Sequence, residues 1–322
     1  MNSGAGAIKA DAKPAVLCIS GPTGMGKSEL ALVLAEELPL EIVSVDSAMI
    51  FRGMDIGTAK PNGAARARVP HHLIDIRDPA ESYSAGEFAR DARRIIGEIQ
   101  DRGRTALLVG GTLLYFGALL RGLSPLPGAN RELREEIRRE AAARGWESLH
   151  RELAKIDPAS AERIHANDPQ RLERAFELYR LTGLPPSRLY EQEKADAPFR
   201  FRRFALWPED RARLYARLGE RFEAMMRAGL AGEVRALRAR GDLTDALPAL
   251  RVVGYRQLWG WLEGQYGEEE ACRRAVVATR RYAKRQLTWL RAEAQWQRFA
   301  GVEEAKTRIL AGLRGRFSDA LA

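Results

Sequence analysis

The sequence is poor in cysteine and histidine. Its 322 residues include two cysteines, Cys18 and Cys272, which lie far apart along the chain. This excludes a disulfide framework and a Cys-x-x-Cys metal pair, and it favours a cytoplasmic protein. The four histidines also lack the spacing of a zinc motif.

Long apolar runs are missing as well. No run approaches the roughly 18 residues that a membrane-spanning helix needs, so we expect no membrane partner. Residues 1–14 are rich in Gly, Ala and Lys without an apolar centre, which predicts an unstructured leader rather than a signal peptide. Hydrophobic residues nevertheless make up 45% of the chain. That is enough for a sizeable core and excludes a mainly disordered protein.

Acidic residues are outnumbered by basic ones. The chain has 52 Lys and Arg residues against 43 Asp and Glu residues, which gives a formal net charge of +9. Such an excess favours a polyanionic partner, without proving one.

The first third of the chain alternates short apolar runs with helical patterns. The apolar runs predict strands at residues 16–20, 41–46, 71–75 and 105–111. The periodic patterns predict helices at residues 28–38 and 86–99. This alternation is typical of an α/β fold in which helices cover both faces of a parallel sheet.

The pattern changes near residue 123, where residues 124–128 resemble a linker. Residues 131–190 are predicted to be helical, with Asp157 and Asp168 as helix N-caps that each precede a proline. Residues 199–207 are predicted to form a strand that returns to the sheet, and residues from 210 to about 313 are again predicted to be helical. We therefore predict a core of residues 15–122 and 200–322 that is interrupted by a helical insertion, residues 123–199.

Residues 21–28 (GPTGMGKS) match the phosphate-binding pattern G-x-x-x-x-G-K-[ST], between a predicted strand and a predicted helix. The glycines allow backbone N–H groups to converge on a phosphate at a helix N-terminus. Lys27 is expected to reach the terminal phosphate, and Ser28 is expected to hold Mg²⁺. The predicted phosphate-binding residues are Gly21, Pro22, Thr23, Gly24, Met25, Gly26, Lys27 and Ser28.

A phosphate-binding loop indicates a polyphosphate ligand but not ATP hydrolysis, which also needs an acidic residue at the end of another strand. The predicted strand 105–111 ends in glycines, whereas the predicted strand 41–46 ends in Asp46. At the carboxyl edge of a parallel sheet, Asp46 would face the ligand crevice. It is a candidate metal ligand or general base, and a capping role is the alternative.

Seven blocks of this sequence, in order, resemble the tRNA dimethylallyltransferases, also called tRNA isopentenyltransferases. The blocks are residues 21–28, 46–61 (DSAMIFRGMDIGTAKP), 70–75 (PHHLID), 110–115 (GGTLLY), 170–174 (QRLER), 253–257 (VGYRQ) and 279–289 (TRRYAKRQLTW). The family transfers a dimethylallyl group from dimethylallyl diphosphate to N6 of the adenine just 3′ of the anticodon. The resemblance implies a P-loop fold related to nucleotide kinases, with a helical insertion that grips a tRNA anticodon stem-loop whose loop is adenine-rich.

The resemblance also implies catalytic roles. Asp46 resembles the family's general base, which accepts the proton of N6. Thr23 resembles the residue that donates its hydroxyl to the oxygen between C1 and phosphorus. Arg221 resembles a ligand of the diphosphate, and Arg217, one helical turn earlier, competes for that role.

Three groups of residues resemble tRNA contacts of the family. Those near the target adenine are Asp46, Ser47, Ala48, Met49 and Thr112. Those in the insertion are Arg134, Gln170, Arg171, Leu172, Glu173 and Arg174. Those in the second part of the core are Val253, Gly254, Tyr255, Arg256 and Gln257. At positions 48 and 49 the family often has Met and Gln, so we expect backbone contacts there. For residues 170–174, an ordinary amphipathic helix is the alternative.

Residues 272–298 carry eight Arg or Lys residues and one acidic residue, Glu293. This bias predicts a phosphate-binding helix whose affinity falls with salt. A small-molecule kinase with the same loop is the alternative function, but it has no need of this run. A non-catalytic RNA-binding protein is a third reading, which the intact Lys27, Ser28 and Asp46 oppose. Nothing in the sequence demands more than a monomer.

Overall fold

The computed structural model describes residues 14–122, 126–191 and 199–318. The predicted leader, apart from Pro14, lies outside the described residues, as do the first two residues of the predicted linker. Contacts divide the chain into two units, residues 1–120 with 198–322 and residues 121–197.

The first unit contains a parallel sheet with the strand order β3-β2-β4-β1-β5-β6. The strands are β1 (Ala15–Ser20), β2 (Leu40–Val45), β3 (His71–His72), β4 (Thr105–Gly110), β5 (Arg200–Leu206) and β6 (Gln297–Phe299). Val16 and Cys18 pack into one apolar cluster, and Leu17 and Ile19 pack into another. Because neighbouring strand residues point to opposite faces, both faces of the sheet are covered, and the predicted α/β fold is confirmed.

Two strand predictions were wrong in detail. The strand expected at residues 71–75 is only His71–His72, because Leu73 and Asp75 have φ angles of 61° and 58°, which a strand cannot accommodate. Strand β6 lies inside the stretch that was predicted to be helical, where three residues pair with the end of β5. A strand of three residues is too short to produce a detectable alternating pattern.

The helices cover the sheet and build the insertion. Before the insertion they are α1 (Lys27–Glu37), α2 (Gly63–Arg68), α3 (Ala85–Asp101) and α4 (Leu113–Leu120). Within it they are α5 (Arg131–Arg144), α6 (Trp146–Ile156), α7 (Pro158–Arg163), α8 (Pro169–Thr182) and α9 (Pro186–Glu191). After it they are α10 (Arg211–Arg227), α11 (Leu230–Ala239), α12 (Tyr255–Leu262), α13 (Glu268–Ala292) and α14 (Val302–Ser318). None of these described helices has the length and apolarity that a bilayer crossing requires.

The second unit is helical and has its own apolar core, in which Ile137, Leu149, Leu153 and Phe176 are buried. The predicted N-caps are confirmed, since Asp157 accepts a hydrogen bond from the Ser160 N–H and Asp168 accepts one from the Arg171 N–H. Helices α7 and α8 therefore begin where the Asp-Pro pairs predict.

A buried carboxylate joins two helices of the second unit. Glu177 of α8 is fully buried and accepts two hydrogen bonds from Arg134 of α5, at 2.7 and 2.9 Å. Arg174 and the backbone N–H of Asn130 donate to the same carboxylate, at 2.5 and 2.8 Å. Burial alone would raise the pKa of Glu177, but these hydrogen bonds outweigh it and lower the pKa. The charged form of Glu177 therefore stabilises this unit.

We predict that Glu177→Gln destabilises α5 and α8 by about 1–3 kcal/mol near neutral pH, because Arg134, Arg174 and the Asn130 N–H lose a buried, charged acceptor. A lowered pKa means that the wild-type advantage disappears as the pH falls below 4.5, the ordinary value for Glu. Hydrogen–deuterium exchange of the α5 and α8 amides measures the change. Glu135→Gln, which removes an exposed pair with Arg131, is the control and should change exchange little. Equal exchange in the two variants would show that the buried pair contributes nothing.

Candidate active site

The phosphate-binding loop connects the end of β1 with the start of α1. Gly26 is the N-cap of α1 with φ +81°, a conformation that residues with a Cβ atom adopt rarely. No side chain caps this helix, so its first N–H groups are available to a ligand. The Lys27 ammonium donates to the carbonyl oxygens of Gly21 and Pro22, at 3.0 and 2.9 Å. The geometry is that of an anion cradle.

Burial lowers the pKa of Lys27 to about 8, although the negative charge of Asp46 opposes this shift. Burial also lowers the pKa of Arg221, and Asp46 again opposes it. The carboxylate of Asp46 therefore helps to keep two partly desolvated cations charged.

Asp46 follows directly after β2 and is half-buried. Its Oδ1 accepts hydrogen bonds from the backbone N–H groups of Ala48 and Met49, at 2.8 and 3.4 Å. Asp46 therefore caps the turn that follows β2, but this role uses only one of its two carboxylate oxygens. Within the described part of the chain, no hydrogen bond to Oδ2 is present, which leaves that oxygen available to a ligand.

Two neighbouring cavities share a wall. The first, of about 300 Å³, is lined by the phosphate-binding loop, including Gly24, Gly26, Lys27 and Ser28. The second, of about 380 Å³, has an apolar and aromatic lining that includes Ile50, Phe51, Tyr115, Phe222 and Met225. Four residues line both cavities: Thr23, Asp46, Thr58 and Arg221. An anionic group in the first cavity and an apolar or aromatic group in the second would therefore meet at these four side chains.

The structure distinguishes the two candidate arginines. Arg221 lines both cavities, whereas Arg217 lies with its Nη2 3.1 Å from the sulfur of Met25 and lines a separate hollow with Pro208 and Val302. Met25 itself is buried, although the sequence pattern grouped it with the phosphate-binding residues.

The loops after β2 and β4 are bonded to each other. The Ser47 N–H donates to Thr112 Oγ1 at 2.9 Å, and the Thr112 hydroxyl donates to Ser47 Oγ at 3.2 Å. Ser47 and Ala48 line the second cavity, and Met49 lines the first. The residues that were predicted to lie near the target adenine are thus gathered around Asp46.

Several residues at this site were missed by the sequence interpretation. Gln286 bonds to the phosphate-binding loop, Thr58 lines both cavities, and Tyr282 and Arg285 line the second cavity. Thr279, Tyr282 and Gln286 lie on one face of α13 at helical spacing. This spacing of three and four residues is the signal from which a face directed at the site could be predicted. The basic residues between these positions instead favour an interpretation based on charge alone.

The predicted contacts of the insertion differ in exposure. Gln170 and Arg171 are exposed at the start of α8. Leu172 is fully buried, and Glu173 is buried against Arg138, at 2.5 and 3.1 Å. Arg134 and Arg174 are both bonded to Glu177, as described above.

The predicted contacts at residues 253–257 also differ in exposure and in bonding. Arg256 is exposed, and Val253 lines the second cavity. Tyr255 is fully buried, and its hydroxyl donates to Glu233. The backbone N–H of Gly254 donates to Gln257 Oε1 at 2.9 Å. Tyr255 and Gln257 are therefore bonded within the protein.

The basic run of residues 272–298 covers most of α13 and continues into β6. Arg273 and Arg274 both pair with Glu270, which lies one helical turn before them on α13. Arg281 and Lys284 are exposed and form no ion pair with any residue that the structure describes. Trp296 is buried in the core. Within this run, the middle of α13 thus carries positive charge that is available to a partner.

Comparisons with known proteins agree with this geometry. The sequence model of the IPP transferase family matches residues 49–293. The tRNA dimethylallyltransferase of Halorhodospira halophila is 55% identical over 298 residues, 91% of this chain and 95% of the relative. That of Methylococcus capsulatus is 54% identical over 283 residues, 88% of this chain and 91% of the relative.

Solved structures point to the same family. The tRNA isopentenylpyrophosphate transferase of Bacillus halodurans has a TM-score of 0.69 and 35% identity, and the match covers 95% of this chain and 97% of that one. A eukaryotic dimethylallyltransferase acting on tRNA has a TM-score of 0.79 and 26% identity, with 95% and 80% covered. The chain therefore belongs to the IPP transferase family of tRNA dimethylallyltransferases.

Proposed function

We propose that this protein transfers the dimethylallyl group of dimethylallyl diphosphate to N6 of the adenine immediately 3′ of the anticodon, and releases diphosphate. The observation that carries the proposal is the shared wall of the two cavities, where Thr23, Asp46 and Arg221 meet. The cradle suits a diphosphate, and the aromatic cavity suits a base extruded from the anticodon loop. The transferred carbon would lie between them.

Asp46 is the proposed general base. The lone pair of adenine N6 is delocalised into the ring, so attack on the allylic C1 requires that the N6 proton be taken up. A carboxylate oxygen that receives no hydrogen bond from the described residues, such as Asp46 Oδ2, is suited to accept it. Such a base is worth about 10²–10⁴-fold in rate.

The departing diphosphate is the other site of developing charge. Lys27, Arg221 and the N–H groups at the start of α1 would stabilise it, and the Thr23 hydroxyl would donate to the bridging oxygen. The Ser28 hydroxyl, a hard oxygen donor that lines the same cavity, fits Mg²⁺, which commonly binds one or two protein oxygens together with phosphate and water. Bound Mg²⁺ would neutralise part of the diphosphate charge.

The tRNA anticodon stem-loop, with an adenine-rich loop, is the proposed partner. Exposed cations on α13 would bind phosphates, and Gln170, Arg171 and Arg256 would reach loop bases or backbone. A monomer is the proposed oligomeric state. The cytoplasm is the proposed compartment, because two cysteines that lie far apart in the sequence suit a reducing environment.

The test is transfer of labelled dimethylallyl from its diphosphate to unmodified tRNA in the presence of Mg²⁺, with labelled ATP in a parallel reaction. We expect label at N6 of the adenine beside the anticodon. Asp46→Asn should reduce turnover by about 10²–10⁴-fold with tRNA affinity kept, because the amide cannot accept the proton. Label that passes from ATP to a small molecule would instead favour a kinase. An unchanged rate in Asp46→Asn would remove Asp46 as the base.

A second prediction concerns pH. Because the pKa of Lys27 is about 8 in the free protein, Lys27 loses its charge as the pH rises through 8. We therefore expect kcat/KM for the donor to fall about tenfold per pH unit above that value. Bound diphosphate holds the proton on Lys27, so kcat should fall less. In Lys27→Arg, whose guanidinium stays charged, this alkaline decline should vanish. An alkaline decline that persists in Lys27→Arg would assign it to another group.

A third prediction concerns salt. Reversing both exposed cations of α13, with Arg281→Glu and Lys284→Glu, should weaken tRNA binding and reduce the slope of log K against log salt by about 1–2. Filter binding over a range of NaCl concentrations measures this slope. The control is the same charge change on α3, with Arg90→Glu and Arg94→Glu, where both arginines are exposed. Equal slopes in the two double variants would show that α13 does not bind phosphates.

A further inference from the structure

One buried amide joins three elements of the core unit. Gln286 of α13 is only 2% exposed. Its Oε1 accepts a hydrogen bond from the backbone N–H of Thr23 at 2.9 Å, and its Nε2 donates to the carbonyl oxygen of Gly111 at 2.9 Å. The side chain therefore bridges the phosphate-binding loop and the loop that follows β4.

The bridge continues towards Asp46. Thr112, the next residue after Gly111, accepts a hydrogen bond from the backbone N–H of Ser47, the next residue after Asp46. The Tyr282 hydroxyl also donates to the Gly111 carbonyl oxygen, at 3.3 Å. A continuous set of hydrogen bonds thus runs from Thr23 through Gln286 and residues 111–112 to the loop that carries Asp46.

Gln286 approaches the backbone of Gly111 so closely that, with Gln286 in this position, only glycine fits at position 111. A Cβ atom there would lie 2.2 Å from Gln286 Nε2, much nearer than real Cβ contacts. The ladder between β1 and β4 ends at Ile19 and Val109, and that between β2 and β4 ends at Val45 and Gly110. Just beyond these pairs, Ser20 Oγ donates to the Gly110 carbonyl oxygen and the Thr112 N–H donates to the Val45 carbonyl oxygen. Gln286 adds the bonds that tie the phosphate-binding loop itself to Gly111.

We propose that Gln286 is a positioning residue, which sets the distance between Thr23 and Asp46 and so aligns the leaving diphosphate with the base. The inference rests on the proposed transfer reaction. It differs from a general packing role because Gln286 contacts both loops by directed hydrogen bonds. A misplacement of about 1 Å between reacting groups costs on the order of 10²-fold in rate.

The test compares Gln286→Met, which keeps a similar volume but neither hydrogen bond, with Leu290→Ala, which truncates a buried side chain one turn later on the same helix. Both variants are assayed as full chains at temperatures equally far below their melting temperatures. We expect Gln286→Met to lower kcat by about 10–100-fold with the tRNA dissociation constant unchanged, and Leu290→Ala to keep kcat within about twofold.

Gln286→Glu gives an independent readout. When protonated, a buried glutamic acid has the donor and the acceptor of glutamine, and burial favours this neutral form. Its kcat relative to wild type should therefore rise several-fold as the pH falls from about 8 to about 6. Tyr282, which bonds to the same Gly111 carbonyl oxygen, is a titratable neighbour. Division by the wild-type value at each pH removes its contribution together with that of Lys27 and Asp46 in the active site.

Binding of inorganic diphosphate, measured by calorimetry, separates this inference from the transfer reaction itself. We expect Gln286→Met to weaken diphosphate binding about 5–10-fold, and Leu290→Ala to leave it unchanged. If wild-type protein binds diphosphate but transfers nothing to tRNA, the proposed function is rejected, whereas the effect of Gln286 on diphosphate binding can still be measured. The positioning role is rejected if Gln286→Met matches Leu290→Ala in kcat and in diphosphate binding, or if the Gln286→Glu ratio does not change with pH.

Discussion

The active-site chemistry depends on one electrostatic arrangement, a carboxylate beside a partly desolvated cation cradle. Burial lowers the pKa of both Lys27 and Arg221, and the charge of Asp46 opposes both shifts. The same charge adds to the effect of burial in raising the pKa of Tyr282. Asp46 therefore keeps the cradle positive before any ligand arrives, as well as being available to take a proton. A neutral residue at position 46 would weaken both functions together.

The order of the strands explains why these groups meet. Strand β4 lies between β1 and β2, so the loops after all three end at the same edge of the sheet. The phosphate-binding loop follows β1, Asp46 follows β2, and Gly111 follows β4. Helix α13 then closes the edge from outside through Gln286 and Tyr282. The helix that carries the exposed cations Arg281 and Lys284 is thus bonded directly to the phosphate-binding loop.

The sequence predicts what local patterns encode. The strand–glycine loop–helix order identifies Lys27 and Ser28, and a strand that ends in a carboxylate identifies Asp46, because each signal lies within a few residues. Gln286 is 263 positions from Thr23 in the sequence. Glu233, which accepts hydrogen bonds from the N–H groups of residues 55–57, is also more than 170 positions from them. No local period marks such partners. The early end of β3 was missed for another reason, since an apolar pattern does not reveal the left-handed backbone of Leu73 and Asp75.

Buried ion pairs also change how the arginines of the insertion are interpreted. Arg134 and Arg174 share Glu177, and Arg138 is paired with Glu173. Their charge is therefore largely neutralised inside the fold, whereas Arg281 and Lys284 on α13 are exposed and unpaired among the described residues. In the proposed complex, these two residues of α13 would be available to phosphates, and so would the exposed Arg139 and Arg151 of the insertion. The insertion would contribute shape and base contacts through the exposed start of α8, because phosphate contacts position a nucleic acid and base contacts specify it.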